Sequence, residues 1–437
     1  MLKTLRNAFK IEDIRKRIIY TFLMLIVIRI GAQLPVPGVK SEVFAEWFSS
    51  QGGTFNFFDA VTGGSLMNMS IFALSITPYI TSSIIIQLLT IAIPKLEEMQ
   101  KEGEDGRKKL NEFTRYLAVG LSLVESIAMG VGFGNQNLLE RNTFMYIAVV
   151  ATALTAGSTF LMWVGERITE KGVGNGISIV LMINIVSRIP DDMIKLFNQF
   201  VKGKAFAPAM LAAAIILAII LLVIVFVIFL QGGERRIPVQ YAKKVQGRKM
   251  VGGQSTHIPL KVNTASVIPI IFAQSILQFP VMIAGFVGKG KGSGLSKVIL
   301  DGLTQNNWCD PENLKNSWGL VLYILMVIAF AYFYTSITFN PLEVANNMKK
   351  QGGFIPGIRP GKPTSDYLTK ILNYIVFIGA VGLIIVAVIP IFFNGVYSAN
   401  VSFGGTSIII IVGVVIETLK QIESQMLVRN YKGFLTD

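Results

Sequence analysis

Ten apolar stretches of about 20 residues constrain the fold of this 437-residue chain more than any other feature. A helix of about 20 apolar residues is long enough to cross the hydrocarbon core of a bilayer. Charged residues make up only 15% of the chain, whereas an average soluble domain contains about 25%. The sequence therefore predicts an all-α polytopic membrane protein. The ten transmembrane helices are predicted at residues 18–36, 70–93, 113–134, 143–164, 175–194, 208–230, 264–288, 317–338, 368–392 and 404–426.

The distribution of lysine and arginine sets the orientation of these helices. With the N-terminus placed inside, 29 of the 40 Lys and Arg residues fall on the inner segments. Cytoplasmic loops of membrane proteins carry such an excess, so both termini are predicted to be cytoplasmic. This bias also accounts for most of the net charge of +14 without nucleic-acid binding. No convincing cleavage site follows the first apolar stretch, which is expected to be a retained span.

Ten spans divide into two halves of five. An odd number of spans per half places the two halves in opposite orientations, which is the arrangement of inverted repeats around a central pathway. The sequence identity between the halves is too low to add support.

Residues 55–94 interrupt the regular pattern of spans. A short apolar piece is followed by Asp59, Gly63, Gly64 and Asn68, and then by a long apolar run. Irregular backbone at membrane depth is tolerated only where it is buried in protein or lines a water-filled cavity. The pattern indicates a re-entrant or discontinuous segment. The alternative is a helix that lies on the membrane surface before an ordinary span.

Two inner loops, at 231–262 and 340–366, are longer than ordinary connections. Long loops in compact proteins are usually functional or disordered. These two mix β-branched residues, tyrosine, glycine and proline with the basic residues, so we expect them to be folded. We interpret them as docking sites for acidic or RNA-bearing partners. The alternative is a solvated topology signal.

The chemistry of an enzyme is absent from the sequence. The single cysteine, Cys309, and the single histidine, His257, exclude disulfide frameworks and multi-histidine metal sites within one chain. No catalytic motif or acid/base pair is present, so we predict no enzymatic activity and no cofactor. The spans contain few carboxylates, of which Glu125 and Glu417 are the main ones, and this scarcity argues against an ion-coupled pump. A secondary transporter of small solutes stays open as the alternative function, with a midplane polar site drawn from Asn184, Gln87 and Gln274.

Branched aliphatic residues recur at helical spacing in the predicted second and fifth spans. Ile80 and Ile84 are four residues apart and therefore share one helix face. Ile177 and Leu181 have the same spacing. A constriction of such side chains can close a pore by dewetting and block hydrated ions. The alternative is that they pack against neighbouring helices or face lipid.

Seven blocks of sequence, distributed in order along nearly the whole chain, resemble the SecY family, the large subunits of bacterial Sec protein-conducting channels. The blocks are ITPYITSSIIIQLL (76–89), GVGNGISIV (172–180), RRIPVQYAKK (235–244), QSTHIPLKVN (254–263), VIPIIFAQSI (267–276), GGFIPGIRPG (352–361) and GGTSIIIIVGVV (404–415).

The resemblance implies a clamshell of two inverted five-helix halves, at 1–190 and 208–437, joined by a hinge loop at 191–207. A lateral gate would lie between the second and third spans on one side and the seventh and eighth on the other. The interrupted stretch would contain a plug at about 55–69. The plug residues would be Asp59, Ala60, Val61, Thr62, Gly63, Gly64, Ser65, Leu66, Met67 and Asn68.

The resemblance also implies a protein-conducting channel of the bacterial plasma (inner) membrane. Its partners would be the SecE and SecG small membrane subunits, the SecA ATPase, the ribosome, signal peptides, nascent polypeptides and membrane lipids. The pore ring would consist of Ile80, Ile84, Ile177, Leu181, Ile271 and Ile410. Residues that dock the motor or ribosome would be Arg235, Arg236, Lys243, Lys244, Arg248 and Arg359.

Overall fold

The protein was analysed as a computed structural model. The structure describes residues 6, 8–50, 59, 61–203, 205–241, 244–246, 249–251, 255–287, 295–309, 311, 314–397 and 405–432.

The described part of the chain is mostly helical, and a helix of at least 16 residues lies in each of the ten predicted spans. Shorter helices connect them. The helices are α1 (Glu12–Gly31), α2 (Ser41–Ser50), α3 (Thr77–Ala92), α4 (Pro94–Lys101), α5 (Glu104–Asn135), α6 (Phe144–Lys171), α7 (Gly176–Phe200), α8 (Phe206–Gly232), α9 (Ile268–Val287), α10 (Leu295–Leu303), α11 (Trp318–Thr338), α12 (Pro341–Lys350), α13 (Lys362–Tyr397) and α14 (Gly405–Lys432).

Length and composition single out only some of these helices as candidate spans on their own. Among the described residues, five helices are long and apolar enough to be candidate spans. A sixth candidate arises if α3 and α4, bent by 104° at their junction, are taken as one broken span. The total of ten spans stays a prediction. The five unbroken candidates are Glu104–Asn135, Phe144–Lys171, Phe206–Gly232, Lys315–Lys350 and Lys362–Val396.

The predicted second span, 70–93, is wrong at its N-terminal end. Residues 63–69 and 71–76 form consecutive turns, and the helix begins only at Thr77. Met69 and Ser75 have φ angles of 43° and 53°, which no right-handed helix contains. Pro78 lies in the first helical turn, where its missing N–H leaves no hydrogen bond unmade.

The predicted hinge loop, 191–207, is helical over most of its length. Helix α7 continues through Pro190 to Phe200, and α8 begins at Phe206. A proline breaks the hydrogen bond to the residue four positions back but can be accommodated as a kink. The connection between the halves is therefore much shorter than predicted.

The main apolar core joins the two halves. It contains Leu161 and Val180 from the first half, and Ile270 and Val386 from the second, all buried. Helix α7 packs against α14, which also packs against α8 and α13, and α9 reaches back to α5. The halves thus close on a shared interior of aliphatic side chains.

The two long inner loops contain strands that the sequence did not predict. Strand β1 (Glu234–Tyr241) pairs antiparallel with β4 (Ser255–Lys261) on one side and with β5 (Gly353–Phe354) on the other. This gives one three-stranded sheet in the order β4-β1-β5. The other two strands form a hairpin. The strands are β1 (Glu234–Tyr241), β2 (Lys244–Gln246), β3 (Lys249–Val251), β4 (Ser255–Lys261) and β5 (Gly353–Phe354).

Candidate functional site

Most of the predicted pore ring belongs to the main apolar core or packs against it. Leu181 and Ile410 are buried members of this core, and three other ring residues are partly buried and pack against it. These five side chains come from α3, α7, α9 and α14. The three partly buried members are Ile80, Ile177 and Ile271.

Ile84, the sixth predicted ring residue, lies apart from the others. It lines a narrow cavity with Gln87 of α3, Phe272 of α9, and Phe330 and Tyr334 of α11. This cavity separates the helix of the second span from those of the seventh and eighth. It therefore lies along the predicted lateral gate.

A glycine-rich break sets the position of the α7 ring residues. Helix α6 ends at Lys171, and Asn175 begins the next helix by accepting hydrogen bonds from the backbone N–H groups of Ile177 (3.1 Å) and Ser178 (3.4 Å). A methyl group on Gly176 would meet the carbonyl oxygen of Gly165 on α6. The close approach of these two helices fixes where α7 starts, and with it the place of Ile177.

The described plug residues are folded and largely buried. Asp59, Thr62, Ser65 and Leu66 are all less than 10% exposed. The backbone N–H groups of Gly64 and Ser65 donate to the carbonyls of Asp59 (3.0 Å) and Thr62 (3.4 Å). The described plug residues are thus buried in the protein, with helical backbone at 59, 61 and 62 and turns at 63–69.

The plug is anchored at its two ends in different ways. At its C-terminal end, Val36 N–H donates to the Met69 carbonyl and Ile71 N–H donates to the Leu34 carbonyl, both at 2.9 Å. At its N-terminal end, Val61 packs against the main core, and Asp59 forms an ion pair with Arg188 of α7. Backbone hydrogen bonds hold the C-terminal end of the plug, whereas side-chain contacts hold its N-terminal end.

The two predicted docking loops form one structural unit, which we call the docking platform: residues 234–241, 255–261 and 341–361. Ile237 and Val239 of β1 pack in one apolar cluster with Met348, Ile355 and the base of α13. Alternate residues of a strand point to opposite faces, so β1 turns other side chains toward solvent.

Several docking residues are exposed on this platform. Arg235 and Arg359 are exposed, and Arg359 lies in the turn after β5, where its carbonyl accepts a hydrogen bond from the buried Thr364 hydroxyl (2.8 Å). Arg236 Nε donates a hydrogen bond to Glu234 Oε1 (2.8 Å), and Arg236 Nη2 lies 2.7 Å from the same oxygen. These contacts lower the pKa of the Glu234 carboxyl.

Some predicted residues fall outside the described residues. They are Ala60, Lys243 and Arg248; Lys244 is described only as part of β2.

The sequence analysis missed a polar contact in the middle of α9. Gln274 and Gln278 both donate to Gln305 Oε1, at 3.1 and 3.3 Å, and fix the segment after α10 against this helix. The Trp308 indole is buried there and donates to the Gly302 carbonyl. The four-residue spacing of the two glutamines was the available signal, since it places both on one helix face.

The sequence analysis also missed the role of Arg188. Its signal was a charged residue inside the predicted fifth span, four residues after Asn184. Such residues face the protein interior and have partners. The Asn184 side chain donates to the Ser75 hydroxyl (3.1 Å), and Ser187 donates to the Gly63 carbonyl (3.4 Å). One face of α7 therefore supports the plug and the turns that follow it. Among the described residues, no group of acidic, histidine and cysteine side chains could hold a metal ion.

Comparison with known proteins decides the family. A family model described as SecY matches residues 70–419. The protein translocase subunit SecY of Bacillus subtilis is 45% identical over 443 residues, covering 100% of both chains. The chain belongs to the SecY family. The protein translocase subunit SecY of Halalkalibacterium halodurans is 44% identical over 442 residues, also covering 100% of both chains. That of Corynebacterium glutamicum is 42% identical over 448 residues, covering 98% of this chain and 99% of the relative.

Solved structures of the SecY and Sec61 type share the fold. A structure of a protein-conducting channel matches with a TM-score of 0.64 and 18% identity, over 94% of this chain and 92% of that one. Sec61 in a canine ribosome-channel complex matches with a TM-score of 0.62 over the same shares of the two chains, at 18% identity. These matches confirm the helical channel architecture that the resemblance implied. The quoted relatives and structures give no support to the small-solute transporter.

Proposed function

We propose that this SecY-family chain is the channel subunit of a bacterial Sec translocase. It moves unfolded secretory polypeptides across the plasma membrane and releases transmembrane segments sideways into lipid. The observation that supports this proposal is that five predicted ring residues from four helices belong to one apolar core or pack against it, as does Val61 of the plug.

An apolar ring suits a substrate of variable sequence. Charged or strongly hydrogen-bonding side chains would hold some polypeptides and reject others, whereas flexible aliphatic groups offer no specific binding site. Without a polypeptide, a constriction of this kind dewets and excludes hydrated ions. The ring and plug together therefore form the resting barrier of the channel.

Sideways release uses the cavity between α3, α9 and α11. Its lining is largely aliphatic and aromatic, from Ile84 and Leu88 to Phe272, Phe330 and Phe333. An apolar segment that leaves through this side gains about 0.8 kcal/mol per methylene buried in lipid. A polar segment gains nothing and continues through the pore.

Energy for transport comes from partners, because this chain is proposed to have no catalytic role and no cofactor. The SecA ATPase or the ribosome would dock on the platform through Arg235 and Arg359, while SecE and SecG complete the membrane complex. Acidic or RNA-bearing surfaces are attracted by exposed basic residues. This arrangement requires both termini and the platform to lie on the cytoplasmic side.

Cross-linking of a stalled secretory chain tests the channel proposal. In a Cys309→Ser background, cysteines at Ile84 and Ile271 are expected to form disulfide adducts, under an added oxidant, with a single cysteine placed in a stalled polypeptide. The matched control is Leu222→Cys on the apolar helix α8, where the residue is 67% exposed. Adducts at Leu222→Cys without adducts at either pore position would contradict the proposal.

A further inference from the structure

The plug contributes one side of a buried ion pair. Asp59 Oδ2 lies 2.5 Å from Arg188 Nη2, and the two side chains are only 1% and 11% exposed. Opposite charges that are removed from water depend strongly on each other, because separating them leaves a buried charge without compensation. This pair is the charged contact that the described plug residues make with α7.

The backbone of the plug is shaped around the same pair. Met67 N–H donates to Asp59 Oδ1 (3.0 Å), so the carboxylate also orders the plug's own turn. Gly64, with a φ of 82°, lies against the Arg188 side chain, where a Cβ atom would sit 3.3 Å from Cδ and Nη1. Gly63 lies closer still to the backbone of Asn184, where a Cβ atom would sit 2.7 Å from the carbonyl oxygen. Glycine at both positions allows the plug to rest directly on α7.

Arg188 has a second carboxylate that does not belong to the plug. Asp191, one turn further along α7, lies 3.4 Å from Arg188 Nη1 and is 58% exposed. When the plug leaves, Asp59 departs with it, while Arg188 keeps a partner on its own helix. The arginine is therefore not left uncompensated in the open state, so the pair can break and re-form.

We propose that Asp59 and Arg188 are positioning residues that fasten the plug on α7 and set the balance between the sealed and the open channel. The inference rests on the proposed channel function. A reversible charged contact then holds the N-terminal end of the plug. The backbone pairing of residues 34–36 with 69–71 stays in place and holds the C-terminal end.

Ion leak through the resting channel tests this proposal. The purified chain with its small membrane subunits is placed in planar bilayers, without motor or substrate, and the resting conductance is recorded. Asp59→Asn and Arg188→Gln are each expected to raise the open fraction at least about tenfold, because each removes the charged contact that favours the sealed state. The exchange Asp59→Arg with Arg188→Asp is expected to recover at least part of the seal.

Asp191→Asn is the matched control, since it removes a carboxylate from the same arginine without touching the plug. It is expected to keep the resting conductance at or below the wild-type level, because Asp191 is the partner of Arg188 in the open state. Equal leak in Asp59→Asn and wild type, or equal leak in Asp59→Asn and Asp191→Asn, overturns the inference.

Motor-driven translocation is measured on the same preparations to separate this inference from the channel proposal. Normal translocation with an unchanged resting leak contradicts only the plug contact. Loss of translocation in the wild-type preparation itself contradicts the channel function. A variant that neither translocates nor elutes as a monodisperse complex has failed to fold. The exchange variant and the double variant Asp59→Asn/Arg188→Gln, which leave no buried charge unpaired, then decide through their resting conductance. Wild-type conductance in the double variant would also overturn the inference.

Discussion

Single glycines decide how closely the helices around the ring approach each other. Gly176 at the start of α7 faces Gly165 on α6, and a side chain at either position would meet the other helix. Because well-packed interiors do not yield to an added methyl group without strain, this contact fixes the helix that presents Ile177 and Leu181. The ring thus depends on residues that carry no side chain.

Gly176→Ala is expected to destabilise the protein by about 1–3 kcal/mol, since the new methyl group would meet the Gly165 carbonyl. The measurement is thermal unfolding of the purified protein in detergent. Gly120→Ala on α5 is the control: a Cβ there meets nothing within 4 Å, so the change is expected to be neutral or to stabilise the helix by up to about 1 kcal/mol. Equal melting temperatures for the two variants would contradict the packing argument.

At the scale of elements, the docking platform links two loops that are distant in sequence. Strand β5 pairs with the end of β1, and the side chains of both loops share one apolar cluster with α13. The platform therefore rests on the helix of the ninth predicted span. A partner that pushes on the platform can move that helix, because packed interiors transmit strain.

Arg359→Glu is expected to reduce motor-driven translocation severely while leaving membrane insertion and thermal stability unchanged. The exposed side chain contributes charge to the platform rather than packing, so its reversal repels an acidic partner. Translocation into inverted membrane vesicles measures the effect. Lys108→Glu, which makes the same charge change at a 72% exposed side chain of another inner segment, is the control. Equal translocation by both variants would count against a docking role for Arg359.

At the scale of the whole molecule, features that depend on local sequence were predicted, whereas contacts between distant residues were not. Span length and loop charge are local, and a helix lies in each predicted span. The turns at 71–76 were mistaken for helix because an apolar run carries no sign of its φ angles. The β1–β5 pairing and the Asp59–Arg188 pair each join positions over a hundred residues apart. No local pattern in the sequence indicates such a partner.

The proposed opening of the channel requires the two halves to separate along the cavity between α3 and α11. Gln87 and Tyr334 line this cavity from opposite sides. In a Cys309→Ser background, a short bifunctional maleimide that joins Gln87→Cys to Tyr334→Cys is expected to abolish sideways release of transmembrane segments and to slow translocation. The reason is that the cross-link ties the first half to the second.

A cross-link within one half is the matched control. Ser126 of α5 and Thr155 of α6 are joined by a hydrogen bond of 3.1 Å between their hydroxyls, so Ser126→Cys/Thr155→Cys is expected to form a disulfide without loss of transport. Release of membrane segments is followed by their extraction with carbonate, before and after cross-linking. Full release through the Gln87–Tyr334 cross-link would mean that segments leave by another side, and the cavity would lose its role as the gate. Loss of release with both cross-links would instead indicate that transport needs movement inside the first half as well.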